Sequence, residues 1–382
     1  MYWLHLLGVF TAALGLFGAA YALIAAPAAA RALGTPAPAP LRLPSVTLLK
    51  PLHSDEPWLA QNLESFFVQD YPGAVQIVFG VQNAADPAIE TVRALQAKHP
   101  DLDMELVIDA RLFGANRKIS NLINMFPRAR HDVLILSDSD IAVPRNWLKT
   151  VIGTLQQPGV GAVTCLYIGK PLGTLWSRLA AMGISYQFLP NVVVGTQASL
   201  AAPCFGSTIA FTRKTLEEIG GFHAFTGFLA DDYEIGRAVR DRGYTLALPH
   251  IVVDHVCSET SLGELIRHEL RWSRTIRSIN FSGHIGSGAI HALPLAFIAA
   301  LLLGFGPVSL SVLAAAFGAR AVLKWRIDKL VGTKAGSLWL LPLRDTISFV
   351  VFFGSLFGSS IHWRGERFDM HASGGFSQSE VS

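Results

Sequence analysis

Asp132-Val133-Leu134-Ile135-Leu136-Ser137-Asp138-Ser139-Asp140 decides how the rest of the chain is read. A short apolar run stops at two carboxylates one residue apart. A run of this length predicts a strand buried on both faces of a sheet. Side chains alternate along a strand, so Asp138 and Asp140 are placed to point the same way where it ends. Two carboxylates there are costly unless a cation lies between them. A divalent metal carrying a diphosphate meets that need, because Mg2+ and Mn2+ favour carboxylate and phosphate oxygens. The competing reading is an acidic turn, since Asp-Ser-Asp is a good turn sequence. The motif alone favours the turn, and the segments around it decide.

Upstream, residues 46–49, 75–81 and 104–108 read as strands. Residues 58–68, 87–97 and 117–125 read as helices, with Asp86 placed as the N-cap of the second. With 133–136, four strands alternate with helices, which predicts a parallel sheet covered on both faces. Ligands of such sheets bind beyond the carboxyl ends of the strands. Asp86 and the Asp138/Asp140 pair both fall there. Downstream the pattern is less regular. Residues 160–165 and 208–211 read as strands, and 172–189 as a long amphipathic stretch. A helix at 215–219 closes on Gly220-Gly221. Further helices are expected from Asp231 to about residue 242 and over 262–279.

Charged residues make up only 15% of the 382 residues and hydrophobic ones 51%, with a mean hydropathy of +0.39. Soluble domains carry roughly 25% charge, so a soluble domain joined to membrane segments is expected. A net charge of +3 gives no sign of a nucleic-acid partner. Cys165, Cys204 and Cys257 are scattered and form no CxxC pair, which points to reduced thiols and a cytosolic soluble part. Residues 3–30 contain no Asp, Glu, Lys or Arg, more than the roughly 20 residues a bilayer span needs. A signal peptide is the competing reading, but no basic residue precedes the run. Arg31, Arg42 and Lys50 follow it, which places the N-terminus outside and the next domain in the cytosol.

The expected organisation is a transmembrane anchor (1–30), a stiff proline-rich linker (31–44) and a cytosolic domain (45–283). A membrane region (284–370) and a disordered tail (371–382) follow. Within the membrane region, residues 289–318 are uncharged and too long for one upright span. Gly304, Gly306 and Pro307 break them into two spans or a hairpin. Residues 346–362 fit either a further span or a re-entrant helix.

Three other groups carry chemistry. Asp231-Asp232-Tyr233-Glu234 opens a helix. Acids there suit the macrodipole, but a carboxylate beside a reacting hydroxyl also suits a general base. Arg267, Arg271 and Arg274 recur at helical spacing and form a cationic stripe, suited to phosphate or to an anionic membrane surface. Trp272 lies within it. Gly114-Ala115-Asn116-Arg117-Lys118 is a small basic turn of the kind that binds anions through backbone N–H groups. The 12 histidines show no HExxH or similar spacing.

Together these segments resemble a family-2 glycosyltransferase with a GT-A, Rossmann-like nucleotide-sugar fold, in its ceramide glucosyltransferase-like branch. The resemblance rests on Val46-Thr47-Leu48-Leu49-Lys50-Pro51-Leu52, Asn62-Leu63-Glu64-Ser65-Phe66-Phe67 and Gln69-Asp70-Tyr71-Pro72. It continues through Val81-Gln82-Asn83, Asp86-Pro87-Ala88-Ile89, Lys118-Ile119-Ser120-Asn121-Leu122 and Asp138-Ser139-Asp140. It ends on Ala230-Asp231-Asp232-Tyr233, Arg271-Trp272 and Trp363-Arg364-Gly365. The family's D,D,D,(Q/R)xxRW pattern implies a role for each matching residue. Asp86 would contact uridine. Asp138 and Asp140 would hold a divalent metal (Mn2+ or Mg2+) and the diphosphate, with Asp140 the direct ligand and Asp138 on the ribose side. Lys118 would join the donor site. Asp232 would be the general base, and Arg271 and Trp272 would lie near the diphosphate and the acceptor. His268 stands where Gln or Arg is usual, and an imidazole there can still donate to phosphate.

Within the branch, Gly114–Lys118, Ser137-Asp138-Ser139-Asp140-Ile141 and Arg267-His268-Glu269-Leu270-Arg271-Trp272 are most similar to bacterial hopanoid-associated glycosyltransferases. Thr164 sits where animal ceramide enzymes carry a histidine near the donor sugar. The resemblance therefore implies a metal-dependent inverting hexosyltransferase of the bacterial inner membrane. It would move N-acetylglucosamine from UDP-GlcNAc to bacteriohopanetetrol, or, as the alternative, glucose from UDP-Glc to ceramide. Two further readings are a processive polysaccharide synthase and a non-catalytic membrane scaffold. The short tail and the three retained acids oppose them.

Overall fold

The computed structural model describes residues 2–54, 56–358, 360–363, 366–370 and 376–378. Helix α1 (Tyr2–Gly34) opens the chain and continues past residue 30 into the expected linker. Ala32 and Leu33 are good helix formers, and Arg31 in the last turn suits the negative end of the macrodipole. Strands and helices then alternate as β1 (Val46–Pro51), α2 (Leu59–Ser65), β2 (Val75–Val81), α3 (Ala88–Lys98), β3 (Asp103–Ile108), α4 (Arg117–Met125) and β4 (Val133–Leu136). β1 pairs in parallel with β2 and β4, and β2 with β3. The expected parallel half-sheet is therefore present.

Alternate side chains of these strands enter two separate cores. Val133 and Ile135 pack with Leu48, Phe79, Leu63 and Trp147 on one face. Leu134 and Leu136 pack with Leu49, Val78, Ile119 and Ile235 on the other. An apolar run without alternation is what a strand covered on both faces requires.

The second half contributes β5 (Ile141–Ala142), α5 (Trp147–Leu155), β6 (Val160–Thr164), β7 (Leu166–Pro171), α6 (Leu175–Gly183), α7 (Leu189–Gln197) and β8 (Ile209–Thr212). It continues with α8 (Arg213–Glu218), α9 (Asp231–Asp241), β9 (Thr245–Ala247), β10 (Val252–Cys257) and α10 (Leu262–Ile279). The main sheet has the order β3-β2-β1-β4-β8-β6-β9, with β8 antiparallel to both β4 and β6. A small sheet, β5-β10-β7, stands beside it. The amphipathic stretch at 172–189 is not one helix. A π-helical turn, Ile184–Phe188, joins α6 to α7. Residues 35–44 are tied down rather than free. Leu41 and Arg42 N–H groups donate to Gln156 Oε1 at 2.7 and 3.1 Å.

The tail holds α11 (Phe281–Ser287), α12 (Ala292–Leu302), α13 (Pro307–Val331) and α14 (Leu341–Leu356). Gly304, at φ +74°, and Pro307 at the first turn of α13 make the expected break. Three helices, Tyr2–Gly34, Pro307–Val331 and Leu338–Leu356, are long and apolar enough to cross a membrane, and the bent pair Phe281–Ile290 and Ala292–Leu302 would make a fourth. Past α14, β11 (Ser360–Trp363), β12 (Glu366–Met370) and β13 (Phe376–Gln378) pair antiparallel. Of the tail expected to be disordered (371–382), only 376–378 are among the described residues, and Arg364 and Gly365 lie outside them.

Candidate functional site

β4 stops at Leu136, so Asp138 and Asp140 stand on the turn before β5 rather than on the pleat of the strand. They meet different partners. Lys118 Nζ lies 2.6 Å from Asp138 Oδ1 and 3.5 Å from Asp231 Oδ2. His255 Nε2, on β10, lies 3.3 Å from Asp140 Oδ2. Lys50, at the carboxyl end of β1, supports the turn from within the protein. Its ammonium donates to Asp138 O at 2.5 Å and Ser137 Oγ at 3.2 Å, and lies 4.0 Å from the centre of the Phe66 ring. Burial pushes the Lys50 ammonium down to about 7, against the pull of Asp138 and Asp140. Asn62 Nδ2 adds a bond to Ser139 O at 3.3 Å.

The turn at 114–118, of a kind that can bind anions, brings Asn116 and Lys118 against acids of this chain. Asn116 caps α4, accepting from the Ile119 N–H at 3.0 Å, while its Nδ2 donates to Asp231 Oδ1 at 3.1 Å. One side chain thus fixes the starts of α4 and α9 together. Burial alone would lower the Lys118 ammonium, but Asp138, Asp231 and Asp232 around it hold it well above the usual lysine range.

Asp232, in the first turn of α9, accepts from the Gly206 N–H through Oδ2 at 3.1 Å and from the Tyr233 N–H through Oδ1 at 2.8 Å. The Gly206 carbonyl accepts the Asp138 N–H at 3.0 Å. Gly206 therefore links two acids that lie far apart in sequence. A Cβ at Gly206 would lie 2.4 Å from Asp138 Oδ2 and 2.8 Å from Lys118 Nζ, so a side chain here would have to displace one of these two charged groups. Burial, with Asp231 adding to it and Lys118 opposing, pushes the Asp232 carboxyl up to about 6.

Helix α10 closes the other side. His268 Nδ1 lies 2.8 Å from Glu259 Oε1. The His268 ring centre is 4.5 Å from that of Trp272, and Trp272 is 5.7 Å from His255. Arg271 shares this helix face, three residues along from His268. Burial would raise the Glu259 carboxyl, but the His268 bond holds it below the usual range. Tyr167 stacks on His255 at 5.5 Å and on Phe188 at 4.6 Å, forming an aromatic wall.

Asp86 stands apart from these contacts. Its Oδ1 accepts the Ala88 N–H at 2.9 Å and its Oδ2 the Ser54 N–H at 3.0 Å. The N-cap residue by backbone geometry is Pro87, so Asp86 serves the helix start from one position earlier than expected. Thr164 is buried, accepting from the Phe205 N–H at 2.8 Å, and so fixes the loop that leads into Gly206.

No role in the site was read from the sequence for Lys50, His255, Glu259 or Gly206. The apolar run before Lys50 located the end of β1, and an unpaired lysine at a buried strand end is the one signal that was available there.

Among the described residues, no three His, Cys, Asp or Glu side chains converge tightly enough to enclose a metal by themselves. Asp140 Oδ1 is nevertheless buried and takes no hydrogen bond among the described residues. Asp140, with Asp138 and His255 beside it, fits an ion whose remaining ligands come from a diphosphate. A cavity of about 690 Å³ lies against the opposite face of β10, lined by Trp58, Asn62, Ile168, Lys170, Asp254 and Leu330 among others. None of Asp86, Asp138, Asp140 or Asp232 lines it, so converging charge, rather than volume, locates the chemistry.

The model of a family described as glycosyl transferase family 21 matches residues 7–375. Ceramide glucosyltransferase 1 of Caenorhabditis elegans is 28% identical over 223 residues, 58% of this chain and 47% of that protein. The ceramide glucosyltransferase of Candida albicans is 32% identical over 121 residues, 29% of this chain and 22% of that protein. The chain spans about half the length, 47% and 50%, of the two Caenorhabditis relatives it matches. Among solved structures, the mannosyltransferase PcManGT from Pyrobaculum calidifontis, in complex with GDP-Man and Mn2+, shares the fold. Its TM-score is 0.52 at 23% identity, over 92% of this chain and 99% of that one.

Proposed function

The chain belongs to glycosyl transferase family 21, and from that premise we propose a membrane-associated inverting hexosyltransferase that moves a sugar from a UDP-sugar to a hydroxyl of a membrane lipid. The preferred pair is UDP-N-acetylglucosamine and bacteriohopanetetrol, supported by the wording of 114–118, 137–141 and 267–272 and by Thr164. Glucose transfer from UDP-glucose to ceramide is the second reading, favoured by the similarity to ceramide glucosyltransferases. The basic residues that follow α1 support a cytosolic catalytic domain on a bacterial inner membrane.

The observation that carries the reading is the link from Asp232 through Gly206 to Asp138, with Lys118 paired to Asp138 and Asp231. It sets a base and a charged leaving-group site side by side. Asp232 takes the proton of the lipid hydroxyl. The hydroxyl oxygen bonds to the anomeric carbon from the face opposite the diphosphate. The bond between that carbon and the diphosphate oxygen breaks, and UDP leaves with the electron pair. Lys118, Arg271 and His268 offset the charge that develops on the leaving diphosphate. Asp138 and Asp140, with His255 beside Asp140, would hold Mn2+ or Mg2+, which would supply further positive charge there. Asp86 holds the uridine side. The wall of Tyr167, Phe188 and Phe205 suits the apolar part of an acceptor entering from the bilayer.

The test is mass spectrometry of lipids made by the purified chain with Mn2+, offered each nucleotide sugar with each lipid. A monoglycosylated lipid is expected. A lengthening sugar chain would replace this reading with a processive synthase, and no UDP release with any pair would leave a scaffold.

A further inference from the structure

We propose that Glu259 is a positioning residue that acts through His268, which rests on the reading of this cleft as a nucleoside-diphosphate-sugar site. An imidazole on a helix has two tautomers and two ring orientations. A carboxylate on one nitrogen makes that nitrogen a proton donor, fixes the ring orientation and leaves the other nitrogen for a ligand. Glu259 Oε1 lies 2.8 Å from His268 Nδ1, so Nε2 is the atom turned to the donor diphosphate, to which it donates in the imidazolium form, where both ring nitrogens carry a proton.

Three observations give Glu259 this task. The first is that its side chain is only 8% exposed, so an acid here needs a reason. Its Oε2 takes no hydrogen bond among the described residues, so its bond to His268 is the use the structure gives it. Second, Glu259 is anchored independently of α10. Its carbonyl accepts from Thr174 Oγ1 at 2.6 Å, and Thr174 in turn caps α6 by accepting the Ser177 N–H at 2.9 Å. The carboxylate is thus a fixed point against which the imidazole is set. Third, the His268 ring packs edge-on against Trp272, and Trp272 against His255, which reaches Asp140. Orientation of His268 therefore passes along the aromatic layer to the diphosphate side of the cleft.

Glutamine at position 268 would have no ring to orient, so Glu259 should matter only while His268 is present. That makes a double-mutant cycle decisive. UDP binding to the full-length chain in detergent with Mn2+ is measured by calorimetry. Glu259→Ala is expected to weaken UDP about tenfold, the low end of the loss seen when the carboxylate behind a metal-ligating histidine is removed. Glu259→Gln, which keeps an acceptor for the Nδ1 proton, should stay within about twofold. Glu259→Ala on a His268→Gln background should add nothing. Equal losses from Glu259→Ala on both backgrounds would overturn the inference, as would unchanged binding in Glu259→Ala alone. If Glu259→Ala does not fold, Glu259→Met keeps the volume and carries the same comparison. Failure of the unaltered chain to bind UDP would overturn the reading of the cleft and this inference with it.

Discussion

Asp232 is under two opposing demands. Two backbone N–H groups favour its ionised form, while burial and Asp231 disfavour it, and the balance lies at about 6. The group is raised above an ordinary carboxylate, so it is protonated and unable to accept a proton below that pH and ionised above it. The rate of transfer should therefore rise with pH through about 6 and then level. Asp232→Asn should lower kcat by about 10²–10⁴-fold and remove that limb, while UDP binding changes little. Retained turnover in this variant would exclude Asp232 as the base. Lys118 has the complementary task of offsetting Asp138 and Asp231. Removing one partner of a fully buried pair costs about 3–5 kcal/mol. The Asp138 side chain is 36% exposed, so about 1–3 kcal/mol is expected for Lys118→Met after solvent screening. Its acids then lack a counter-charge, so Mn2+ should raise the melting temperature more in Lys118→Met than in the unaltered chain. An equal rise in both would separate Lys118 from the metal-binding acids.

Among the elements, four built on local pattern came out at their expected bounds, while others such as α2, expected over 58–68 and found at Leu59–Ser65, did not. Val75–Val81, Val133–Leu136, Arg117–Met125 and Leu262–Ile279 are each defined by an apolar period and a clear stop. The small sheet was not foreseen. β5 is only the pair Ile141–Ala142, and its partner β10 lies more than a hundred residues later, so no local period announces it. His255 on β10 went unremarked for the same reason, as did Glu259, whose partner only α10 supplies. The acids of the D,D,D pattern were legible individually, but their link through Gly206 depends on a loop fold that no spacing encodes. In α1, the helix itself was legible but not what its glycines do. A Cβ on Gly18 would lie 3.0 Å from Ala292 Cα and one on Gly15 3.0 Å from the Ala296 N, so α1 and α12 approach backbone to backbone. Gly18→Leu should cost about 1–3 kcal/mol through overpacking. Gly34→Leu, where nothing lies within 4 Å, should not. Thermal melting in detergent makes the comparison, and equal midpoints would mean that α1 does not rely on this contact.

At the scale of the whole molecule, buried charge joins the tail helices to the α/β domain. Arg320 on α13 donates to both oxygens of Asp345 at 2.7 Å and to Tyr186 O, also at 2.7 Å. Tyr186 lies in the π-helical turn between α6 and α7, and such turns leave carbonyls available for partners outside the helix. Arg344 on α14 makes a two-point contact with Glu269 at 2.5 and 2.7 Å, and bonds Leu179 O at 3.2 Å. Glu269 is on α10, next to His268 and one turn from Trp272. The same ion pair that seats α14 therefore sets the helix that closes the site. Arg344 is 3% exposed, so Arg344→Met leaves Glu269 without its charge partner and should cost about 3–5 kcal/mol. If the pair only stabilises, Arg344→Met should lower the melting temperature and leave the UDP affinity of the folded fraction intact. If it also places α10, UDP affinity should fall as well, and this second outcome is the one expected. Glu269→Met with Arg344→Met removes both charges at once, and apolar replacement of a buried pair is often neutral or stabilising. The double variant should thus regain most of the melting temperature. It should not regain UDP affinity fully, because α10 loses its two-point register to α14. Full recovery of both properties would show that the aromatic layer, rather than the Glu269–Arg344 contact, holds α10 in place.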